Sequence, residues 1–192
     1  IMKNQSITEA MLQFIEDSPT AFHAAANVEA LLLKNGFEKL ENLAGGALVP
    51  GGSYYTMQNG SAVLAVKIPE NPAKGFRIAA SHSDSPCFKI KEVPEMKVEN
   101  TYVKLNVEKY GGMILSPWLD RPLSVAGRVF VAGKDGKPEA KLVNLKKDLL
   151  IIPNVAIHFN REINNGFAYN PQTDMAPLMG LDQELSIKKL CA

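Results

Sequence analysis

The chain has 192 residues, and its 21 Lys and Arg residues almost balance 20 Asp and Glu residues, which leaves a formal charge of +1. Hydrophobic residues make up 46% and charged residues 21%, so the composition excludes a largely disordered chain. The balanced charge argues against a nucleic-acid-binding module, and no apolar run approaches the ~20 residues of a membrane-spanning helix. The two cysteines, Cys87 and Cys191, lie far apart in sequence, which predicts reduced thiols and a cytoplasmic protein.

The amino-terminal stretch has the periodicity of two helices. Apolar residues recur at helical spacing within residues 7–15, and Ser18-Pro19 ends that pattern. Thr20 can cap a second helix, and Asn35-Gly36 supplies the left-handed stop that ends it. This stretch therefore predicts a helix pair followed by a change of structure.

Strand-like patterns follow the helices. Residues 54–58 and 62–68 flank Asn59-Gly60, a strong hairpin signal, and residues 76–81 form an apolar run typical of a strand buried on both faces. From about Val93 the pattern is nearly all β, with further strands predicted at 102–107, 125–132, 141–145 and 155–159. We therefore predict an α/β domain that is not finished within residues 1–92. A β-rich domain, barrel- or sandwich-like, is predicted over residues 93–192, with the boundary at Val93-Pro94-Glu95.

The triplet His82-Ser83-Asp84 is the most informative candidate site. It directly follows the predicted buried strand, and open α/β sheets place ligands beyond the carboxyl ends of their strands. In an extended segment His82 and Asp84 point to the same side, where an imidazole suits Zn²⁺ and a carboxylate can orient it. The spacing alone is a weak signal, and a polar strand end that caps loop amides is the alternative that it favours.

Other polar residues carry weaker signals when they are taken alone. His158 follows an apolar run, and a single histidine in that setting usually makes a structural hydrogen bond. His23 lies on the second predicted helix, where a surface or half-buried position is expected. The adjacent Asp120 and Arg121 are most simply structural turn residues that bond local backbone.

The number of available ligands limits any metal site. A catalytic zinc needs about three protein ligands, and a two-metal site needs more. The chain has three histidines, and only His82 has a neighbouring acid in a plausible site. If the site binds metal, this chain carries only a part of it.

Five segments, in order along the chain, resemble the amino-terminal portion of the aspartyl aminopeptidase family of metallo-aminopeptidases. Several colinear motifs are far more specific than any single one, and this resemblance favours a functional interpretation of His82 and His158. The segments are residues 14–24 (FIEDSPTAFHA), 81–86 (SHSDSP), 110–112 (YGG), 118–129 (WLDRPLSVAGRV) and 152–158 (IPNVAIH).

The resemblance implies a zinc-peptidase α/β domain interrupted by an inserted β-rich dimerisation domain. Residues 1–92 would be the amino-terminal part of the peptidase domain, and residues 93–192 the dimerisation domain, complete or not. The family removes amino-terminal residues from peptides, often acidic ones, with two divalent metal ions, zinc being expected. Its members form homo-oligomers, with dimers that build into dodecamers.

The resemblance also implies roles for three residues. His82 matches the metal-binding histidine of the family's HxD motif, and Asp84 matches the acid that orients it. His158 matches a histidine of the dimerisation domain that reaches the neighbouring subunit's active site and steadies the substrate or its tetrahedral intermediate. Family members are much longer, and their remaining metal ligands and glutamate base lie further along the chain.

Two functional hypotheses follow. In the first, the chain is the amino-terminal piece of such an aminopeptidase and is inactive by itself. In the second, it is a non-catalytic oligomerisation or interaction module derived from such an enzyme.

Overall fold

Two helices open the computed structural model, which describes residues 2–41, 48–71, 75–181 and 185–191. Helix α1 spans Met2–Glu16 and helix α2 spans Ala21–Lys34. Thr20 caps α2, because its hydroxyl oxygen accepts the backbone N–H of His23 at 3.4 Å. After the helix, Gly36 has a left-handed backbone with φ +78°. The predicted cap and stop of α2 are therefore confirmed.

A three-stranded sheet follows, with β1 (Glu38–Lys39), β2 (Ser53–Gln58) and β3 (Ala62–Lys67) in that order. Strands β1 and β2 are parallel, whereas β2 and β3 form an antiparallel hairpin. Asn59 and Gly60 at its tip have φ values of +53° and +67°, the left-handed backbone that these two residue types tolerate best. The predicted hairpin is confirmed.

Glu29 on α2 ties this helix to the sheet. Its Oε1 accepts hydrogen bonds from Lys39 Nζ at 2.7 Å and from the hydroxyl of the buried Tyr55 at 3.0 Å. The hydrogen bond from Lys39 is the main reason that the pKa of Glu29 lies below its usual value. A charged carboxylate is thus stabilised where the helix meets β1 and β2.

The prediction of a buried strand over residues 76–81 is wrong for the described structure. These residues form no strand, and the side chains of Phe76 and Ile78 are 75% and 88% exposed. A strand requires a hydrogen-bonding neighbour on at least one side, and β1–β3 do not pair with this segment. The apolar run therefore lies exposed among the residues that the structure describes.

Most of the remaining elements are strands. Strands β4 and β5 form a long antiparallel pair that β8 extends, and β6 pairs with β7. The bounds are β4 Cys87–Val98, β5 Tyr102–Tyr110, β6 Ala126–Ala132, β7 Pro138–Asn144, α3 Ile163–Gly166, β8 Leu178–Gly180 and α4 Ile187–Leu190. The predicted strands near 102, 125 and 141 are confirmed, but residues 155–159 form a turn instead of a strand. The fold is thus mixed α/β with small sheets.

The described residues divide into two compact units. The first contains the residues up to Ser85 together with Gly127–Leu142, and the second contains Pro86–Ala126 and the residues from Val143 onward. The proposed domain boundary at residues 93–95 falls inside β4, at a bulge where the register between β4 and β5 shifts. The two compact units therefore do not coincide with the predicted domains, and the domain limits 1–92 and 93–192 remain a prediction.

Arg128 on β6 contacts other parts of the first unit. Its guanidinium carbon lies 4.0 Å from the ring centroid of Phe22 on α2, and Nη1 donates to the carbonyl oxygen of Asn59 at 2.6 Å. A cation over an aromatic face and a charge-assisted hydrogen bond are both favourable contacts. Arg128 therefore connects β6 with α2 and with the tip of the β2–β3 hairpin.

The core of the second unit forms around alternate residues of β5. Leu105 and Val107 are buried there with Leu150 and Ile187, and Cys191 packs against this cluster. Burial raises the pKa of the Cys191 thiol, and no disulfide joins it to Cys87 within the described part of the chain.

Among the helices that the structure describes, none has the length and apolar character of a membrane-spanning segment.

Truncating the side chain of Leu105 in this core should destabilise the chain strongly. Leu105 is 1% exposed, so we expect L105A to lower the free energy of unfolding by about 2–5 kcal/mol through lost burial and a residual cavity. The matched variant L181A removes the same atoms from a side chain that is 66% exposed and should cost about 0.5 kcal/mol or less. Urea denaturation monitored by circular dichroism measures both, and equal losses would contradict this account of the core.

Candidate functional site

His82 and Asp84 lie side by side, as the sequence predicted for the triplet. The Nδ1 atom of His82 is 2.8 Å from the backbone carbonyl oxygen of Asp84 and 3.2 Å from its Oδ1. The imidazole is 81% exposed and the Asp84 side chain 38% exposed. The ring therefore does not point into a closed apolar interior, which would have excluded a ligand-binding role.

The partners of Nδ1 determine which nitrogen of the ring can bind a metal. A carbonyl oxygen only accepts hydrogen bonds, so the short contact with Asp84 places the proton on Nδ1. In the neutral ring Nε2 then carries the lone pair. A metal-binding histidine typically donates its other ring N–H to a carbonyl or carboxylate, and this arrangement has that form.

Ser83 attaches the triplet to the neighbouring hairpin. Its hydroxyl donates to the backbone carbonyl oxygen of Ser61 at 2.9 Å, just before β3 begins at Ala62. Residues 75–84 form no strand, so this side-chain contact is a link between the triplet and the sheet. The hairpin tip, rather than a pairing strand, therefore supports His82 in the described structure.

The residues present fit one ligand of a zinc site but not a whole site. The Nε2 atom of the exposed His82 side chain is a suitable metal ligand, since imidazole nitrogen is a common zinc ligand. Within the described ranges, no group of three or more His, Cys, Asp or Glu residues is arranged to hold a metal ion.

His158 lies in the second compact unit, whereas His82 and Asp84 lie in the first. It is exposed and sits in a turn in which Ala156 accepts the N–H of Phe159 at 2.9 Å and Ile157 accepts that of Asn160 at 3.2 Å. The structure therefore gives His158 an accessible position within the second unit. Its predicted role stays a prediction.

His23, for which a surface or half-buried position was expected, is half-buried at the start of α2. Its Nδ1 lies 2.8 Å from the hydroxyl oxygen of Thr20, the residue that caps this helix. Burial lowers the pKa of His23 below its ordinary value of 6.5. A positive charge near a helix N-terminus is unfavourable as well, because the helix dipole is positive there.

Asp120 makes a long-range contact that the sequence did not predict. Its Oδ1 accepts the backbone N–H of Asn154 at 2.9 Å, although only local bonding was expected for a turn residue. Its backbone is left-handed, with φ +55°. No sequence signal identifies this pair, because a carboxylate can accept from any backbone N–H that the fold brings near.

The comparisons with known proteins agree on one family. The family described as "Aminopeptidase I zinc metalloprotease (M18)" matches residues 14–190. A relative named "Probable M18 family aminopeptidase 2", from Clostridium acetobutylicum, is 47% identical over 184 residues, covering 94% of this chain and 42% of the relative.

Two solved structures have the same fold over this region. The chain matches the structure titled as the Ape4 and Nbr1 complex with a TM-score of 0.86 and 37% identity, covering 94% of this chain and 35% of that one. It matches mApe1 of Chaetomium thermophilum with a TM-score of 0.81 and 33% identity, covering 93% and 41%.

The chain belongs to the M18 family of aminopeptidases, and the resemblance found in the sequence is confirmed at this level. It spans about two-fifths of the length of the relative from C. acetobutylicum, 42%.

Acidification should weaken the fold through His23. Because its folded pKa is lowered from 6.5, the unfolded chain takes up a proton first as the pH falls. The stability that neutral His23 contributes is therefore complete well above pH 6.5 and is lost as the pH falls from that value towards the folded pKa. We expect urea denaturation to show a smaller loss of stability across this window for H23N, whose side-chain oxygen replaces the Nδ1 contact. Identical pH profiles for H23N and the unmodified chain would contradict this.

Proposed function

We propose that the protein to which this chain belongs is a zinc-dependent aminopeptidase that removes amino-terminal residues, acidic ones among them, from peptides. The observation that carries the proposal is the geometry of His82, whose Nδ1 is held by Asp84 while Nε2 remains available as a donor. Family membership supports the peptidase class. Neither a nucleic acid nor a membrane is proposed as a partner.

His82 and Asp84 have separate tasks in this proposal. His82 would supply Nε2 to one of two divalent metal ions, and Asp84 would hold the ring in the tautomer that leaves this nitrogen unprotonated. Zinc, when bound, supplies Lewis acidity and makes water a stronger nucleophile at neutral pH. The remaining ligands and the glutamate base would come from residues outside this chain.

His158 would act in the site of a neighbouring subunit. A histidine N–H can donate a hydrogen bond to the carbonyl oxygen of the scissile peptide as negative charge develops there. Val155, Ile157 and Phe159 beside it are 56%, 46% and 84% exposed, and a concentration of exposed apolar side chains is typical of an interface. These exposed side chains support our proposal that residues 93–192 belong to an inserted dimerisation domain of a homo-oligomer. Assembly from dimers to dodecamers is proposed from the family resemblance.

Exposed apolar surface in the first unit supports an incomplete peptidase domain. Ile7, Met11 and Ile15 of α1 are 67%, 53% and 59% exposed, and Phe76 and Ile78 are more exposed still. Burying such side chains stabilises a folded protein, so further residues of the same protein would be expected to cover them. The 192-residue chain alone would then have no peptidase turnover. The two widely spaced cysteines and the balanced net charge support the proposal of a cytoplasmic enzyme.

Removing the proposed ligand should weaken metal binding and abolish turnover. In the complete protein we expect H82A to reduce the release of amino-terminal Asp or Glu to background, and D84N to reduce activity or metal affinity by about 10–100-fold. Zinc content by mass spectrometry and release of the amino-terminal residue measure the two effects. D148N, which neutralises an exposed carboxylate elsewhere in the chain, is the matched control and should retain activity.

The same experiment tests the alternative function. Zinc-dependent turnover by the isolated 192-residue chain would overturn its proposed inactivity. A complete protein that oligomerises but neither binds zinc nor releases amino-terminal residues would instead support the non-catalytic oligomerisation module.

Action of His158 across subunits predicts that two inactive variants restore activity when mixed. H82A and H158A should each be strongly impaired in the complete protein. Co-expressed at equal levels, they should recover about a quarter of normal activity, because half of randomly formed dimers contain one of each variant and one of its two sites is intact. H82A mixed with D84N gives no intact site and is the control. Absence of recovery in mixed oligomers would rule out the role across subunits.

A further inference from the structure

Residues 120–123 and 149–154 run antiparallel and share a short ladder of hydrogen bonds. Leu123 and Leu150 exchange backbone bonds at 2.9 and 3.1 Å, and the N–H of Asp120 donates to the carbonyl oxygen of Ile152 at 2.9 Å. Pro153 has no N–H and cannot continue the ladder. The next donor, Asn154 N–H, is instead accepted by Asp120 Oδ1 at 2.9 Å. The carboxylate thus extends the pairing past the proline.

Asp120 is well held in the conformation that makes this contact. Its backbone lies in the left-handed region at φ +55°, which is unfavourable for most L-residues but better tolerated by Asp and Asn. Such a conformation persists when surrounding contacts hold it. Here the N–H of Asp120 is bound to Ile152, whose side chain is fully buried, and its carboxylate is bound to Asn154.

Local hydrogen bonds occur on both sides of the short segment between Asn154 and His158. The side-chain oxygen of Asn154 accepts the N–H of Val155 at 2.9 Å. The next residues form the turn in which Ala156 accepts the N–H of Phe159, with His158 between them. Because residues 153–159 are exposed, packing contributes little to their position. The hydrogen bond from Asn154 to Asp120 therefore connects the residues just before this turn to the rest of the second unit.

We propose that Asp120 is a positioning residue for His158. It fixes Asn154, and through Asn154 it sets where the exposed turn that carries His158 begins and which way it runs. The contact between Asp120 and Asn154 stands on the structure alone, whereas its catalytic consequence rests on the proposed function of His158.

Amide hydrogen exchange in the 192-residue chain tests the contact. Asn at position 120 retains an oxygen acceptor and tolerates a left-handed backbone, whereas Gly retains the backbone freedom and removes the acceptor. We expect the Asn154 amide to exchange about three- to tenfold faster in D120G than in the unmodified chain, and D120N to preserve the slower rate. The Leu178 amide, bonded to the carbonyl oxygen of Ile151 at 2.7 Å, should be unchanged in both variants and is the control for folding. Unchanged exchange at Asn154 in D120G would overturn the proposal.

Kinetics of the complete protein test the catalytic consequence. We expect D120G to lower kcat about three- to tenfold with little change in KM, D120N to restore most of the loss, and D120G to add no further loss in an H158A background. Full activity of D120G despite faster exchange at Asn154 would overturn the positioning role. If H158A itself retained full activity, the proposed function of His158 would fail and this catalytic consequence with it. The exchange measurement would still decide whether Asp120 holds Asn154.

Discussion

The contact between the Nδ1 atom of His82 and the carbonyl oxygen of Asp84 constrains every functional statement about this chain. At 2.8 Å it assigns the proton to Nδ1, and in the neutral ring it leaves Nε2 as the donor nitrogen. The exposure of the ring means that a ligand can reach this nitrogen. In the other neutral tautomer Nε2 would carry the proton and could not bind a metal. Assignment of the chain to the M18 family agrees with this geometry.

Support for this segment comes from side chains and not from a sheet. Residues 76–81 pair with none of β1–β3, and the hydroxyl of Ser83 provides a link to the hairpin at Ser61. An apolar segment in this state is poorly stabilised, because it has neither strand hydrogen bonds nor burial. The proposed site is thus attached to a segment with little support among the described residues of the first unit.

Contacts between residues distant in sequence recur in both units. Arg128 lies over Phe22 and bonds Asn59, while Asp120 bonds Asn154. Each of these contacts joins segments that lie more than 30 residues apart in the chain. Charge-assisted hydrogen bonds suit this purpose because they are directional and strong compared with neutral ones. They supply order where small sheets leave segments without strand neighbours.

The sequence by itself determined the local structure and the family. Thr20 and Asn35-Gly36 set the ends of α2, and Asn59-Gly60 set the β2–β3 hairpin, because capping and left-handed turns depend on a few neighbouring residues. The colinear motifs identified the family for the same reason, since they can be read directly from the chain. Only the tertiary structure decided that residues 76–81 and 155–159 are not strands and that Asp120 reaches Asn154. Strand pairing depends on which distant segment lies next to the strand, and the backbone N–H that a carboxylate accepts depends on which segment lies next to that side chain. Local composition does not contain that information.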